Sequence, residues 1–302
     1  MRGSLSRSAS FRAVSRKTFS KPDGATLSYV SLGSAAALQT LVCHPGGPGM
    51  SGAYFANLFE RRSEAVRVVL LDPRGTGASS PPVDGRYELE DYAADVDELR
   101  DHLEIERINL LGHSHGGFVG MVYALTYPDR LDHLVLACSA PRFSDELRRE
   151  AEAAIAMHRD KPWFEDAIEA QRRRQAWDFA SPDDLAALYA REARLWFADD
   201  AAAEAFLPDL CSQRLDPEAL RYFNIRLAPG YDMRPHLHRI RAPTLILNGA
   251  ADFFGPQVSA RELGAIPNSR ATIIPGAGHF AFVEAPDRFR FELERFMISS
   301  AL

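Results

Sequence analysis

Short apolar runs alternate with amphipathic stretches over most of this chain. Val66 to Leu71 and Leu131 to Ala137 are dense in Val and Leu, interrupted by Arg67 in the first and by Asp132 and His133 in the second. Such runs are expected of strands covered on both faces. Thr26 to Ser31, Thr40 to His44, the stretch leading into Ser114, Pro243 to Asn248 and Arg270 to Ile274 read as further strands. Helical periodicity fills the gaps. It is clearest over 88–104, where Leu89, Tyr92, Val96, Leu99 and Leu103 recur at spacings of three and four. Further helices are expected from Ser51 to Arg61, His115 to Thr126, Val258 to Leu263 and Pro286 to Met297. Strands and helices alternating in this way imply a doubly wound, mostly parallel sheet.

The alternation stops from Pro141 to His236. This segment is rich in Ala, Arg and acids, carries aromatics from Trp163 to Phe223, and shows no strand pattern. It reads as a helical insertion capping the sheet edge. The expected organisation is therefore a basic, disordered leader at 1–17, an α/β core made of 18–140 and 237–302, and a helical cap at 141–236.

Composition narrows the class. The 302 residues are 46% hydrophobic and 25% charged, as in ordinary globular proteins. The formal charge is −6; residues 1–21 hold six cations and no acid, so the rest of the chain carries −12. An acidic body argues against nucleic acid as a partner. No stretch approaches the ~18 apolar residues of a membrane span. Three cysteines, Cys43, Cys138 and Cys211, cannot build a disulfide framework, which points to a reducing, cytoplasmic setting. The Ser/Arg-rich start lacks the apolar core of a secretory signal.

The candidate chemistry sits at the carboxyl ends of the expected strands, where ligands bind in open parallel sheets. Gly112-His113-Ser114-His115-Gly116 matches G-x-S-x-G, a strand-to-helix turn that lifts a serine hydroxyl above the sheet. Such a serine needs a base, and the base needs an acid to orient it. His279, in Pro275-Gly276-Ala277-Gly278-His279 after the last strand, is the candidate base. His102 and His133 lie on ordinary element surfaces, His236 and His238 precede a strand, and His113 and His115 are expected to point away from Ser114. Asp252 follows the strand 243–248 and is the candidate acid; the preceding strand-end loop, Cys138 to Pro141, holds no carboxylate. Glu284 is expected at the start of the final helix, where an acid suits the helix dipole.

An oxyanion needs two N–H donors. His115, next after the serine, supplies one. The Pro/Gly loop at His44-Pro45-Gly46-Gly47-Pro48-Gly49 supplies the other; its prolines lack an N–H, leaving Gly47 as the first choice and Gly46 as the alternative. Asp72-Pro73-Arg74-Gly75 reads as a turn shaping the pocket floor. The His113/His115 and His236/His238 pairs have no third ligand at a metal-site spacing. The reading requires no metal and no cofactor.

These segments together resemble the α/β-hydrolases, and within them the proline iminopeptidase branch. The resemblance rests on residues 44–49, on Leu71-Asp72-Pro73-Arg74-Gly75-Thr76-Gly77-Ala78-Ser79, on Asp95 to Arg100, on the Ser114 turn and on the Pro275–His279 loop. It implies an aminopeptidase for N-terminal proline or another small residue, whose free amine is held by cap glutamates; this cap offers Glu192, Glu204 and Glu218. Two positions depart from the branch. Pro45 stands where a histidine usually precedes Gly-Gly-Pro-Gly, and His115 where a tryptophan usually follows the nucleophile. A carboxylesterase, a C–C bond hydrolase, and a hydrolase-fold binding protein that does not turn over are the alternatives. The expected partner is a small molecule or short peptide.

Overall fold

The computed structural model describes residues 15–211 and 213–299. Eight strands form one sheet in the order β1-β2-β4-β3-β5-β6-β7-β8. They are β1 (Arg16–Ser20), β2 (Thr26–Leu32), β3 (Gln39–His44), β4 (Val66–Asp72), β5 (Ile108–His113), β6 (Leu131–Ala137), β7 (Thr244–Gly249) and β8 (Ser269–Ile274). From β4 through β8 every neighbour pairs in parallel, and β1 and β2 are antiparallel additions at one edge.

Alternation along each strand feeds two cores. In β4, Val66, Val68 and Leu70 pack on one face with Tyr54, Phe55, Phe289 and Leu293. Val69 and Leu71 pack on the other with Tyr92, Val96, Phe118 and Leu263. The helices supplying the second face are α1 (Leu89–His102), α2 (His115–Thr126) and α8 (Pro256–Leu263); the first face is covered by a 3₁₀ helix, Gly52–Phe59, and by α10 (Pro286–Ser299). Arg67 is tolerated inside β4 because its Nε donates to Ser31 Oγ at 3.1 Å.

The edge strand β1 breaks the expectation of a leader running to residue 17. Arg-Lys-Thr-Phe-Ser is almost wholly exposed, so no apolar alternation marks it; backbone pairing with β2 and an ion pair from Arg16 to Asp72 at 3.0 Å hold it. Residues 1–14 of the expected leader lie outside the described residues.

Between β6 and β7 the chain forms α3 (Asp145–Ala156), α4 (Phe164–Gln175), α5 (Pro182–Glu192), α6 (Asp200–Cys211) and α7 (Pro217–Tyr222), with short 3₁₀ and π turns. The two ends of this insertion meet in an isolated bridge between Arg142 and Asp232. No described helix is long and apolar enough to cross a membrane.

Candidate active site

β5 delivers Ser114 into a conformation that side chains rarely adopt, with φ 55° and ψ −117°. The turn closes so tightly that a Cβ on Gly112 would lie 2.1 Å from Gly116 O, and one on Gly116 would lie 2.3 Å from His44 O. Only glycine fits at both places. Ser114 N donates back to Ala137 O at 2.9 Å, which fastens the turn to β6.

His279 and Asp252 come together from the ends of β8 and β7. The Nδ1–H of His279 donates to Asp252 Oδ1 at 2.8 Å, and the same oxygen accepts the Phe254 amide at 2.9 Å. This leaves Nε2 as the ring nitrogen able to accept a proton. The imidazole is held between aromatic rings, with centroids 4.3 Å from Phe253 and 5.3 Å from Phe254. Asp252, Ser114 and His279 are all buried, and Ser114 and His279 line one cavity.

Both ring nitrogens of His113 bond away from the Ser114 hydroxyl, but its ring is built into the site. Strand alternation puts it on the same face as Leu111, against the Gly52–Phe59 helix. Its Nε2–H donates to the His279 carbonyl at 2.9 Å, a bond that only this tautomer can make, and its Nδ1 accepts from the Tyr54 hydroxyl at 2.7 Å. Tyr54 Oη in turn accepts the Gly46 amide at 2.5 Å. The Gly46 N–H is therefore taken, which removes Gly46 from the oxyanion candidates and leaves Gly47. A chain of three hydrogen bonds thus joins the Pro/Gly loop to the His279 loop. Counting period two forward from Leu111 would have found His113; nothing local to Tyr54 announces its role.

His115 turns the other way, its ring 5.1 Å from both Tyr92 and Phe223. Burial pushes His113 and His115 well below the usual imidazole range and lowers His44 to about 4. All three are neutral in the fold and protonate on unfolding. The unfolded chain then binds more protons below about pH 6.5, so stability rises with pH across the window from about 4 to 6.5 and is lost as pH falls through it. Each such group contributes a slope of up to about 1.4 kcal/mol per pH unit. Thermal melts should show Tm level above pH 7 and falling steeply between pH 6 and 4.5; a Tm independent of pH in that interval would contradict the buried neutral imidazoles.

The insertion is clamped to both loops that flank Ser114. Asp216 donates its amide to Gly49 O at 3.0 Å and accepts the Tyr87 hydroxyl at 2.6 Å. On the opposite side the His279 amide donates to Trp196 O at 2.7 Å. Gly278 permits that approach, since a Cβ there would lie 2.4 Å from the same oxygen. Its role there is close contact. Glu284 does not open the final helix as expected. It ends the short helix α9 (Ala281–Glu284), and its carboxylate accepts the amides of Gly278, Ala198 and Asp199 at 2.6, 2.7 and 2.9 Å.

The cavity enclosed in this way is about 520 Å³. Gly46, Gly47, Ser114 and His279 line it together with the aromatics Phe143, Trp196, Phe223, Phe253 and Phe254, and Gln171, Arg174 and Glu192 bring polar groups from the insertion. The Asp72–Gly75 turn is not part of its lining. Arg74 instead grips Asp95 of α1 with Nε at 2.7 Å and Nη2 at 2.9 Å, and Asp72 accepts from Ser28, Ser51 and Arg16. The turn therefore ties β4 to its neighbours behind the site. Of the other histidines, His102, His236 and His238 are exposed, and His133 is buried with Nδ1 bonded to Asn109 Oδ1 at 2.6 Å.

His113, Cys138 and His279 each bring a donor atom within 4.8 Å of the others. This is poor metal chemistry. Both nitrogens of His113 are bonded, His279 Nδ1 is bonded to Asp252, and burial raises the Cys138 thiol well above its usual range, so it stays protonated.

A mostly parallel sheet with a serine elbow after β5, a histidine after β8 and a helical insertion beside them is the architecture of the α/β-hydrolases. The model of the α/β hydrolase fold family matches residues 39–286, and the chain belongs to that family. It is similar to a putative carbamate hydrolase of Caulobacter sp. (strain K31), at 31% identity over 271 residues, covering 89% of this chain and 94% of that one. The proline iminopeptidase of Lactobacillus helveticus (strain DPC 4571) is 28% identical over 280 residues, covering 86% and 90%. Among solved structures, a hydrolase from Pseudomonas aeruginosa PA01 superposes with a TM-score of 0.69 at 27% identity, covering 94% of this chain and 99% of its own.

Proposed function

We propose that this hydrolase cleaves a carboxylic ester or amide through an acyl-enzyme on Ser114. The observation that carries the reading is the bond from His279 Nδ1 to Asp252, made at the cavity that holds the Ser114 elbow. Ser114 Oγ attacks the carbonyl as His279 Nε2 takes its proton, and Asp252 stabilises the resulting imidazolium. The Gly47 and His115 amides receive the negative charge on the carbonyl oxygen. His279 then protonates the leaving group, and a water activated by the same nitrogen releases the acid product and frees the serine.

The aromatic wall favours an apolar acyl group. An aminopeptidase is the second reading, supported by the likeness to the Lactobacillus iminopeptidase. It needs a carboxylate free to meet a substrate amine. Glu204 and Glu218 are exposed and do not belong to the cavity lining; Glu192 does, but Arg174 already neutralises it. The ester reading is therefore preferred.

A fluorophosphonate probe should label the folded chain at Ser114, and kcat/KM on aryl esters of benzoic or medium-chain acids should exceed that on prolyl-arylamides. A folded protein that neither labels nor turns over any ester would return it to the class of binding proteins on this fold.

A further inference from the structure

The cavity lining holds an ion pair whose two halves come from different helices. Arg174 lies in the last turn of α4 and Glu192 at the end of α5. The guanidinium meets the carboxylate in a two-pronged contact, Nη2 to Oε1 at 2.8 Å and Nε to Oε2, and rests over the Tyr189 ring at 5.5 Å. Glu192 is 1% exposed at its side chain and Arg174 16%. The remaining charged pair on the lining, Arg148 and Glu152, is bonded to itself at 2.7 Å and lies at the exposed surface of α3. Burial keeps His113 neutral. Among the described residues, each charged side chain on the lining is thus paired with a neighbour of opposite sign.

A charged acyl group entering this space would leave water without finding a counter-charge, which is strongly unfavourable in an apolar enclosure. An uncharged acyl group loses little. The pair still offers hydrogen bonds: Arg174 Nη1 is the nitrogen that Glu192 does not use, and Gln171 and Gln175 line the cavity on the same helix. We propose that the Arg174–Glu192 pair sets the charge selectivity of the pocket, admitting uncharged acyl groups and rejecting those that bring a free amine or carboxylate to it. The inference rests on the ester-hydrolase reading above. It also gives a physical reason why likeness to iminopeptidases need not carry their amine-bearing substrates with it.

The test uses three rigid 4-nitrophenyl esters with the whole chain: benzoate, 4-carboxybenzoate and 4-(aminomethyl)benzoate. The unsubstituted enzyme should favour the benzoate over both charged esters by about tenfold or more in kcat/KM, the scale on which an uncompensated charge is rejected. Arg174→Gln uncovers Glu192 and should raise the aminomethyl ester relative to benzoate by about tenfold; Glu192→Gln uncovers Arg174 and should do the same for the carboxy ester. Equal turnover of all three esters by the unsubstituted enzyme would overturn the proposal, as would single variants that shift neither ratio. If a single variant fails to fold, the double variant R174Q/E192Q carries the test, because it is again uncharged. It should still rank the benzoate first, and acceptance of either charged ester on a par with benzoate would overturn the proposal. Failure of the underlying reading has a separate signature, no probe labelling and no hydrolysis of the neutral ester, and that result would sink both.

Discussion

Ser114→Ala should remove turnover by roughly five to six orders of magnitude while changing stability by less than about 1 kcal/mol. The reason for the first half is that the proposed mechanism has one nucleophile and no substitute for it. His113 is neutral but both its nitrogens are spent, Cys138 is held protonated by burial, and Ser139 belongs to the loop after β6 and is absent from the cavity lining. What survives the substitution is the contribution of the oxyanion donors and of binding, about 10³–10⁴-fold over water. The reason for the second half is local. Alanine keeps the Cβ, so the left-handed φ of 55° is neither relieved nor worsened, and the backbone bond from residue 114 to Ala137 persists. Initial rates on a neutral aryl ester, with a thermal melt of the same sample, check both. A variant retaining more than about 1% of kcat would show that the acyl group is carried elsewhere.

Asp252→Asn should lower kcat by about 10⁴-fold with substrate binding little affected. Oδ1 of Asp252 accepts two N–H donors, His279 Nδ1 and the Phe254 amide, and Oδ2 is buried without a partner. An asparagine can keep its oxygen at the first position only by burying an NH₂ at the second with nothing to receive it. Turned over, it presents NH₂ to Nδ1 and forces the imidazole into the tautomer with hydrogen on Nε2, which cannot take a proton from serine. The unsubstituted enzyme should also lose kcat/KM on acidification, because a histidine base acts only when unprotonated. His113 and His115 contribute no charge of their own near neutral pH, since burial keeps both neutral. A flat profile from pH 5 to 8 would exclude a histidine base, and an Asp252→Asn variant within tenfold of the parent would exclude the acid.

Much of the sheet was legible because its strands are buried on both faces, so apolar density marks them without knowledge of their neighbours. Helix α2 was legible at both ends, from the serine turn to Tyr127-Pro128. Strand β1 was not, because its stability comes from the edge of β2 and its own residues stay in water. The candidate site divides in the same way. Ser114, Asp252 and His279 could be named from loops at strand ends, since their order along the chain and the glycines around them are local facts. Tyr54, Glu284 and the Arg174–Glu192 pair could not. Each acts through a partner distant in the chain: Tyr54 and His113 are separated by 59 residues, and Glu284 and Ala198 by 86.

By itself the sequence determined the candidate site: a serine on a glycine turn, with a histidine and a carboxylate at later strand ends. Backbone geometry and apolar periodicity are enough for that, because both are written over a few consecutive residues. Only the tertiary structure decided which amides of the Pro/Gly loop are already bonded and how the charges on the cavity lining are paired. Gly46 and Gly47 differ in one hydrogen bond, made by a tyrosine from the next helix. Glu192 reads along the chain as one acid among many, and becomes half of a neutral pair only when α4 lies against α5. Hydrogen bonds and charge compensation belong to pairs of groups, and pairs this far apart exist only once the chain has folded.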